Sequence, residues 1–141
     1  MITLVLKTLS WAMATVIALV DDLMFLSRIR EAARGHDVEV KGARTAADAV
    51  AGARAGARLV IMDLDSPRLP VAAALAELRG EPSLAGLPVV GFFSHVEAQR
   101  GREAAAAGCT TVLPRSAFVQ KLGALLAQAA SAVGGEPGAG T

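Results

Sequence analysis

The sequence predicts a doubly wound α/β fold, with five parallel strands covered on both faces by five helices. Three observations carry that reading. Short runs that are apolar almost throughout, Thr15–Val20, Leu59–Met62 and Pro88–Phe93, suit strands buried on both faces. Between them lie segments whose apolar residues recur three and four apart, so strand and helix periods alternate along the chain. Right-handed crossovers between parallel strands then leave few topologies.

Each element follows in turn. Thr15–Val20 is the first strand, and Asp21 and Asp22 end it. From Leu23 the period changes: Leu26, Ile29 and Ala33 share a helical face, Arg28, Arg30 and Glu31 lie off it, and Gly35 can cap the end. Val38–Val40 is a short second strand. Thr45-Ala-Ala-Asp48 has the spacing of a capping box and opens an alanine-rich helix that ends near Gly56. The third strand, Leu59–Met62, stops at Asp63, with Asp65 two residues on and Pro67 beyond. Pro70 can start a helix that turns Leu75 and Leu78 inward and ends near Gly80. Residues 81–86 read as a loop. Pro88–Phe93 is the fourth strand, Ser94–Ala107 the fourth helix closed by Gly108, and Thr110–Leu113 the fifth strand. Ser116 can cap a last helix whose Phe118, Leu122, Leu125 and Leu126 share a face.

The totals agree with a protein built around one core. A chain of 141 residues, 53% hydrophobic and 19% charged, has the length and the apolar content for that core. The net charge of +1 comes from interleaved acids and bases, so the sequence declares no basic face for nucleic acid, and no nucleic acid is expected as a partner. One cysteine, Cys109, excludes an internal disulfide and a cysteine metal cluster. A cytoplasmic location with no membrane partner is expected. Residues 1–14 are apolar and end in Ala12-Met13-Ala14, like a signal-peptidase site, but no basic region leads them and they are too short to span a bilayer. They are expected to form an N-terminal extension, with the domain at 15–133 and a disordered Gly- and Pro-rich tail at 134–141.

The chemistry gathers at the strand ends. Asp21, Asp22 and Asp63 end two strands separated by one crossover, so they fall side by side at the carboxyl edge of the sheet, where open α/β sheets bind ligands. Three clustered carboxylates repel one another unless they share a cation or a proton, and an all-oxygen site suits Mg²⁺. The plainer alternative has each aspartate capping the helix that follows it. Three aspartates at two strand ends favour the metal.

At this point the chain resembles the receiver domain of two-component response regulators, over residues 15–130. The Asp21-Asp22 pair, Asp63 with Pro67 four residues on, Ala107-Gly108 before the fifth strand and the five-fold βα order carry the resemblance. It implies a flavodoxin-like fold and a stand-alone, non-enzymatic signalling module. It also implies Asp63 as the acceptor of a phosphoryl group from a sensor histidine kinase. Asp21, Asp22, Asp63 and the backbone carbonyl of Asp65 are then the Mg²⁺ ligands. The output is regulated contact with a kinase or another signalling protein, and a homodimer would use residues 94–130.

Several positions depart from the family pattern. Arg115 stands where the family has a lysine, and reads equally as a phosphate contact or a solvated loop residue. Ser94 is the candidate phosphate-sensing hydroxyl, although a gapless count puts Phe93 in that slot and Ser94-His-Val-Glu97 also reads as a capping box. Val112 replaces the usual aromatic, and Leu69-Pro70-Val71 lacks the expected glycine. His95 and Cys109 read as packing or surface residues. Two rival functions stay open. One is a pseudo-receiver that signals by contact alone, without phosphorylation. The other is a haloacid-dehalogenase-type phosphohydrolase built on Asp63-Leu64-Asp65, which lacks the further acidic pair that chemistry needs, since no acid lies between Glu103 and Glu136.

Overall fold

The computed structural model describes residues 13–94 and 98–134. Most of the expected N-terminal extension (1–12), most of the expected tail (135–141), and His95 with residues 96–97 of the Ser94 capping box lie outside the described residues.

Strand and helix alternate throughout: β1 (Ala14–Leu19), α1 (Leu23–Ala33), β2 (Val38–Gly42), α2 (Ala46–Arg54), β3 (Leu59–Asp63), α3 (Val71–Arg79), β4 (Val89–Phe93), α4 (Ala98–Ala107), β5 (Thr111–Pro114) and α5 (Arg115–Gly134). A 3-10 turn at Pro82–Leu84 tightens the loop after α3. All four strand pairings are parallel and the strand order is β2-β1-β3-β4-β5. This is the flavodoxin-like order, in which the sheet grows first one way from β1 and then the other. The reversal places the end of β1 beside the end of β3, with Leu19 opposite Met62.

Side-chain alternation divides the core into two layers. Val16 and Ala18 of β1, Leu59 and Ile61 of β3, and Val90 and Phe92 of β4 pack with Phe25, Leu26 and Ile29 of α1 and Phe118, Leu122 and Leu126 of α5. Ile17, Leu19, Val60, Met62 and Val89 point the other way, onto Ala49, Val50 and Ala53 of α2 and Leu75 and Leu78 of α3. By the same parity Asp63 belongs to the α1/α5 side. Alternation puts Gly91 on the α2–α4 side of β4, where Leu64 leaves no room for a side chain: a Cβ at that position would come within 2.9 Å of Leu64 Cδ1.

The opposite edge of the sheet is tied by one side chain. Arg79, the last residue of α3, donates from Nε to Gly108 O (2.9 Å), from Nη1 to Leu84 O (3.0 Å) and from Nη2 to Leu87 O (2.8 Å). Gly108 adopts φ +124°, a conformation open to glycine, and so turns its carbonyl to Arg79 on the way from α4 into β5.

Three sequence expectations change. Ser116 does not cap the last helix: β5 runs directly into α5, which begins at Arg115, so Ser116 is already its second residue. After α1 the left-handed residue is Asp37 (φ 52°) rather than Gly35, aspartate being among the residues that tolerate that region. β1 begins one residue early, at Ala14, which pairs with Val38 across the sheet. Thr45 does cap α2, its hydroxyl oxygen accepting from the Asp48 amide at 3.0 Å.

Candidate functional site

Asp63 is the one buried charged or polar residue among those described, 8% exposed at the carboxyl end of β3. Desolvation raises its pKa, and the nearby Asp65 and Asp22 charges add to that; the Asp65 amide, which donates to Oδ1 at 3.0 Å, and the charge of Arg115 pull the other way. A carboxyl whose folded pKa is raised contributes stability below its unfolded pKa and loses it as the pH rises through the folded value. Asp63→Asn should therefore melt higher than the wild type at pH 7. In thermal melts at a series of pH values that gap should close as the pH falls to the ordinary aspartate pKa. A variant that melts lower at pH 7 would show that Asp63 is better compensated than this.

The two aspartates after β1 have separate tasks. Asp22 caps α1: its Oδ1 accepts from the Met24 amide (3.0 Å) and the Phe25 amide (3.1 Å). These bonds, that to Phe25 foremost, hold its pKa below the usual carboxylate range, and Arg115 helps. Asp21 turns to two arginines instead, accepting from Arg44 Nη2 at 2.7 Å and Arg68 Nη1 at 3.4 Å. Asp65 accepts from the Ser94 backbone amide through Oδ2, which ties the β3–α3 loop to the end of β4.

Arg115 reaches this edge from the first turn of α5. Its Nη2 lies 3.4 Å from Asp22 Oδ2, and its guanidinium carbon lies 4.0 Å from the centre of the Phe25 ring and 5.6 Å from that of Phe92. Ser94 stands exposed directly after β4. Phe93 packs with Val112 against the α2–α4 layer, on the side of the sheet away from Asp63. Burial pushes the Cys109 thiol up to about 11, which makes it a packing residue rather than a nucleophile.

Sequence reasoning missed Arg44 and Arg68, which lie 23 and 47 residues from Asp21. The strand pairing held a signal for the first. With β2 beside β1 in parallel, Ala18 faces Gly42, so Arg44 emerges close to Asp21.

A divalent cation suits the donors in kind, since Asp21, Asp22 and Asp63 offer carboxylate oxygens and Asp65 its backbone carbonyl. The charge balance does not call for one: Asp65 and Asp22 repel the Asp63 anion, but Arg44, Arg68 and Arg115 already bring three positive charges to this edge. In the arrangement observed, arginines and amides engage these carboxylates. Among the described residues no three His, Cys, Asp or Glu side chains form a group ready to hold an ion.

No protein-family model and no curated protein matches this sequence. Solved structures match its shape. The phosphorylated cyanobacterial phytochrome response regulator RcpA superposes with a TM-score of 0.66 at 20% identity, over 84% of this chain and 92% of that one. A response regulator from Hahella chejuensis gives 0.67 at 18% identity, over 85% and 94%. The chain has the receiver fold. The Mn²⁺-bound form of response regulator Rcp1 shares that fold with a TM-score of 0.63 at 18% identity, over 84% of this chain and 92% of its own. Among the described residues no helix is long and apolar enough to cross a membrane.

Proposed function

We propose that this chain is a receiver-type switch in two-component signal transduction, phosphorylated on Asp63 by a sensor histidine kinase and acting through protein contact. The observation that carries the reading is Asp63 itself: a buried carboxylate at the strand-order reversal, flanked by Asp22 and Asp65 and within the field of Arg115. Two proteins of the same fold add support, since RcpA is described as phosphorylated and Rcp1 as Mn²⁺-bound. A buried, unpaired cysteine agrees with a reducing cytoplasmic setting.

A carboxylate oxygen of Asp63 attacks phosphorus, the bond from phosphorus to the donor nitrogen breaks, and the departing imidazole nitrogen takes a proton. Asp22, Asp63 and Asp65, with Asp21 behind them, would hold Mg²⁺, whose charge offsets that of the transferring phosphoryl group. Arg115 would supply a further positive charge, and Ser94, whose backbone amide is bonded to Asp65, is the candidate hydroxyl for the aspartyl phosphate. Residues 94–130 form the contact surface whose packing responds, with a kinase, another signalling protein or a second copy as partner.

The test is intact mass after incubation with Mg²⁺ and a small acyl-phosphate or phosphoramidate donor. One phosphoryl adduct should form on the wild type and vanish in Asp63→Asn. No adduct, with no Mg²⁺ binding by titration, would instead establish the phosphorylation-independent interaction module, which the arginine pairing of Asp21 and Asp22 favours. Catalytic turnover of a phosphate ester would point to the phosphohydrolase reading of Asp63 and Asp65.

A further inference from the structure

The amino-terminal edge of the sheet carries a cleft of about 630 Å³, within the size range of small-molecule sites. It lies at Leu59, the opposite end of β3 from Asp63, so it is a separate place from the acidic edge. Three walls form it: the turn after α2 (56–59), the loop into β4 (83–88), and α5 at Leu125, Gln128 and Ala129. Much of the lining is apolar and belongs to the core, since Ala53, Ala57, Leu59, Leu84, Leu87 and Ala129 are all buried.

The walls are held in place. Arg79 donates to Leu84 O and Leu87 O, which fixes the loop before β4. Arg54 donates from Nε to Glu81 Oε1 at 2.6 Å and so joins the end of α2 to the same loop. Three of the last four carbonyls of α2, those of Ala51, Gly52 and Ala53, accept from the amides of Ala55, Ala57 and Gly56, which blunts the negative end of that helix. The two arginines that line the cleft therefore differ. Arg54 is committed to Glu81, whereas Arg58 is exposed and forms no ion pair or side-chain hydrogen bond among the described residues. Gly86 leaves space beside it: a Cβ there would meet nothing within 4 Å, and its backbone is not left-handed.

We propose that this cleft binds a small organic anion, an apolar ring or chain that carries one carboxylate. The apolar body lies against Leu59, Leu87 and Leu125, and the carboxylate pairs with the guanidinium of Arg58. An inorganic ion gains nothing from the apolar lining, and a cation would be repelled by Arg58. One uncommitted guanidinium also matches a single negative charge better than the two of a phosphate ester. Such a ligand touches α5 and the β4 loop together, so it stabilises their packing by mass action. The site is independent of Asp63 and holds whether or not that residue accepts a phosphoryl group.

The experiment titrates the ¹⁵N-labelled full chain with 1-naphthylacetate and, separately, with its uncharged near-isostere 1-naphthylacetamide. The acid should bind saturably, with amide resonances shifting first at Gly56, Gly86 and Leu87, and about fivefold more tightly than the amide. Arg58→Gln should weaken the acid by about the same factor and leave the amide unchanged. Gly86→Leu, which places a side chain in the cleft, should melt cooperatively and bind neither compound. Equal binding of acid and amide by the wild type, shifts centred away from the cleft, or undiminished binding by Gly86→Leu overturns the proposal. So does a protein occupant. Residues 1–12 would announce themselves as a red shift of emission from Trp11, the chain's one tryptophan, in Gly86→Leu without ligand. A second copy would show as self-association that the same variant loses.

Discussion

Phe118→Ala should lower the unfolding free energy by about 3–5 kcal/mol, seen as an earlier midpoint in urea titrations followed by circular dichroism. Phe118 is 0% exposed, and its ring stacks on Phe92 with centroids 4.8 Å apart and planes 19° apart. Phe25 tilts against both rings, at 5.0 Å from Phe92 and 6.0 Å from Phe118. One truncation thus removes a large buried surface and two ring contacts, and neighbours fixed on β4 and α1 cannot fully collapse into the gap. The damage should also reach the acidic edge, because the same rings support Arg115. A second truncation, Phe92→Ala, should cost less in the Phe118→Ala background than alone, since the stacked pair is already gone. A loss under about 1 kcal/mol for Phe118→Ala would show that α5 repacks freely on the sheet.

Arg79→Met should cost about 2–3 kcal/mol, the next largest effect expected. Methionine keeps much of the aliphatic stem but none of the donors that bridge Gly108 O, Leu84 O and Leu87 O. Three part-buried carbonyls at the amino-terminal edge of the sheet would lose their partner together. The acceptors are neutral, so the loss should be the same in 0.1 M and 1 M salt, unlike that of a surface ion pair. A difference that disappears in high salt would mean that Arg79 acts through charge on a neighbouring acid.

Much of this structure was legible in the sequence, for a physical reason. Strands buried on both faces must be apolar at nearly every position, so β1, β3 and β4 declared themselves, and the aspartates at the ends of β1 and β3 marked where the chain leaves the core. Local rules also found the Thr45 cap and the glycine that closes α4, because those depend on residues a few positions apart. What escaped is long-range. Arg44 and Arg68 reach Asp21 from separate loops, Arg115 finds Asp22 across 93 residues, and Arg79 bridges three segments. A guanidinium on a long stem carries no periodic signature of its target. Ser116 misled because its composition suits a cap, while the direct passage from β5 into α5 left no loop for one.

An open parallel sheet leaves two edges, and a bare edge is a template on which further chains can pair. Here each edge is blunted by its own chemistry. β5 is only four residues long and ends on Pro114, which has no backbone N–H to offer an incoming strand. β2 carries exposed Glu39 and Lys41 along its rim, so a neighbouring strand would have to align beside charges of both signs. The apolar strands that build the core, β1, β3 and β4, are the inner ones of the order β2-β1-β3-β4-β5. The segments best suited to forming a fibril are thereby kept from each other by two short, guarded ones, and concentrated protein should resist aggregation by strand addition.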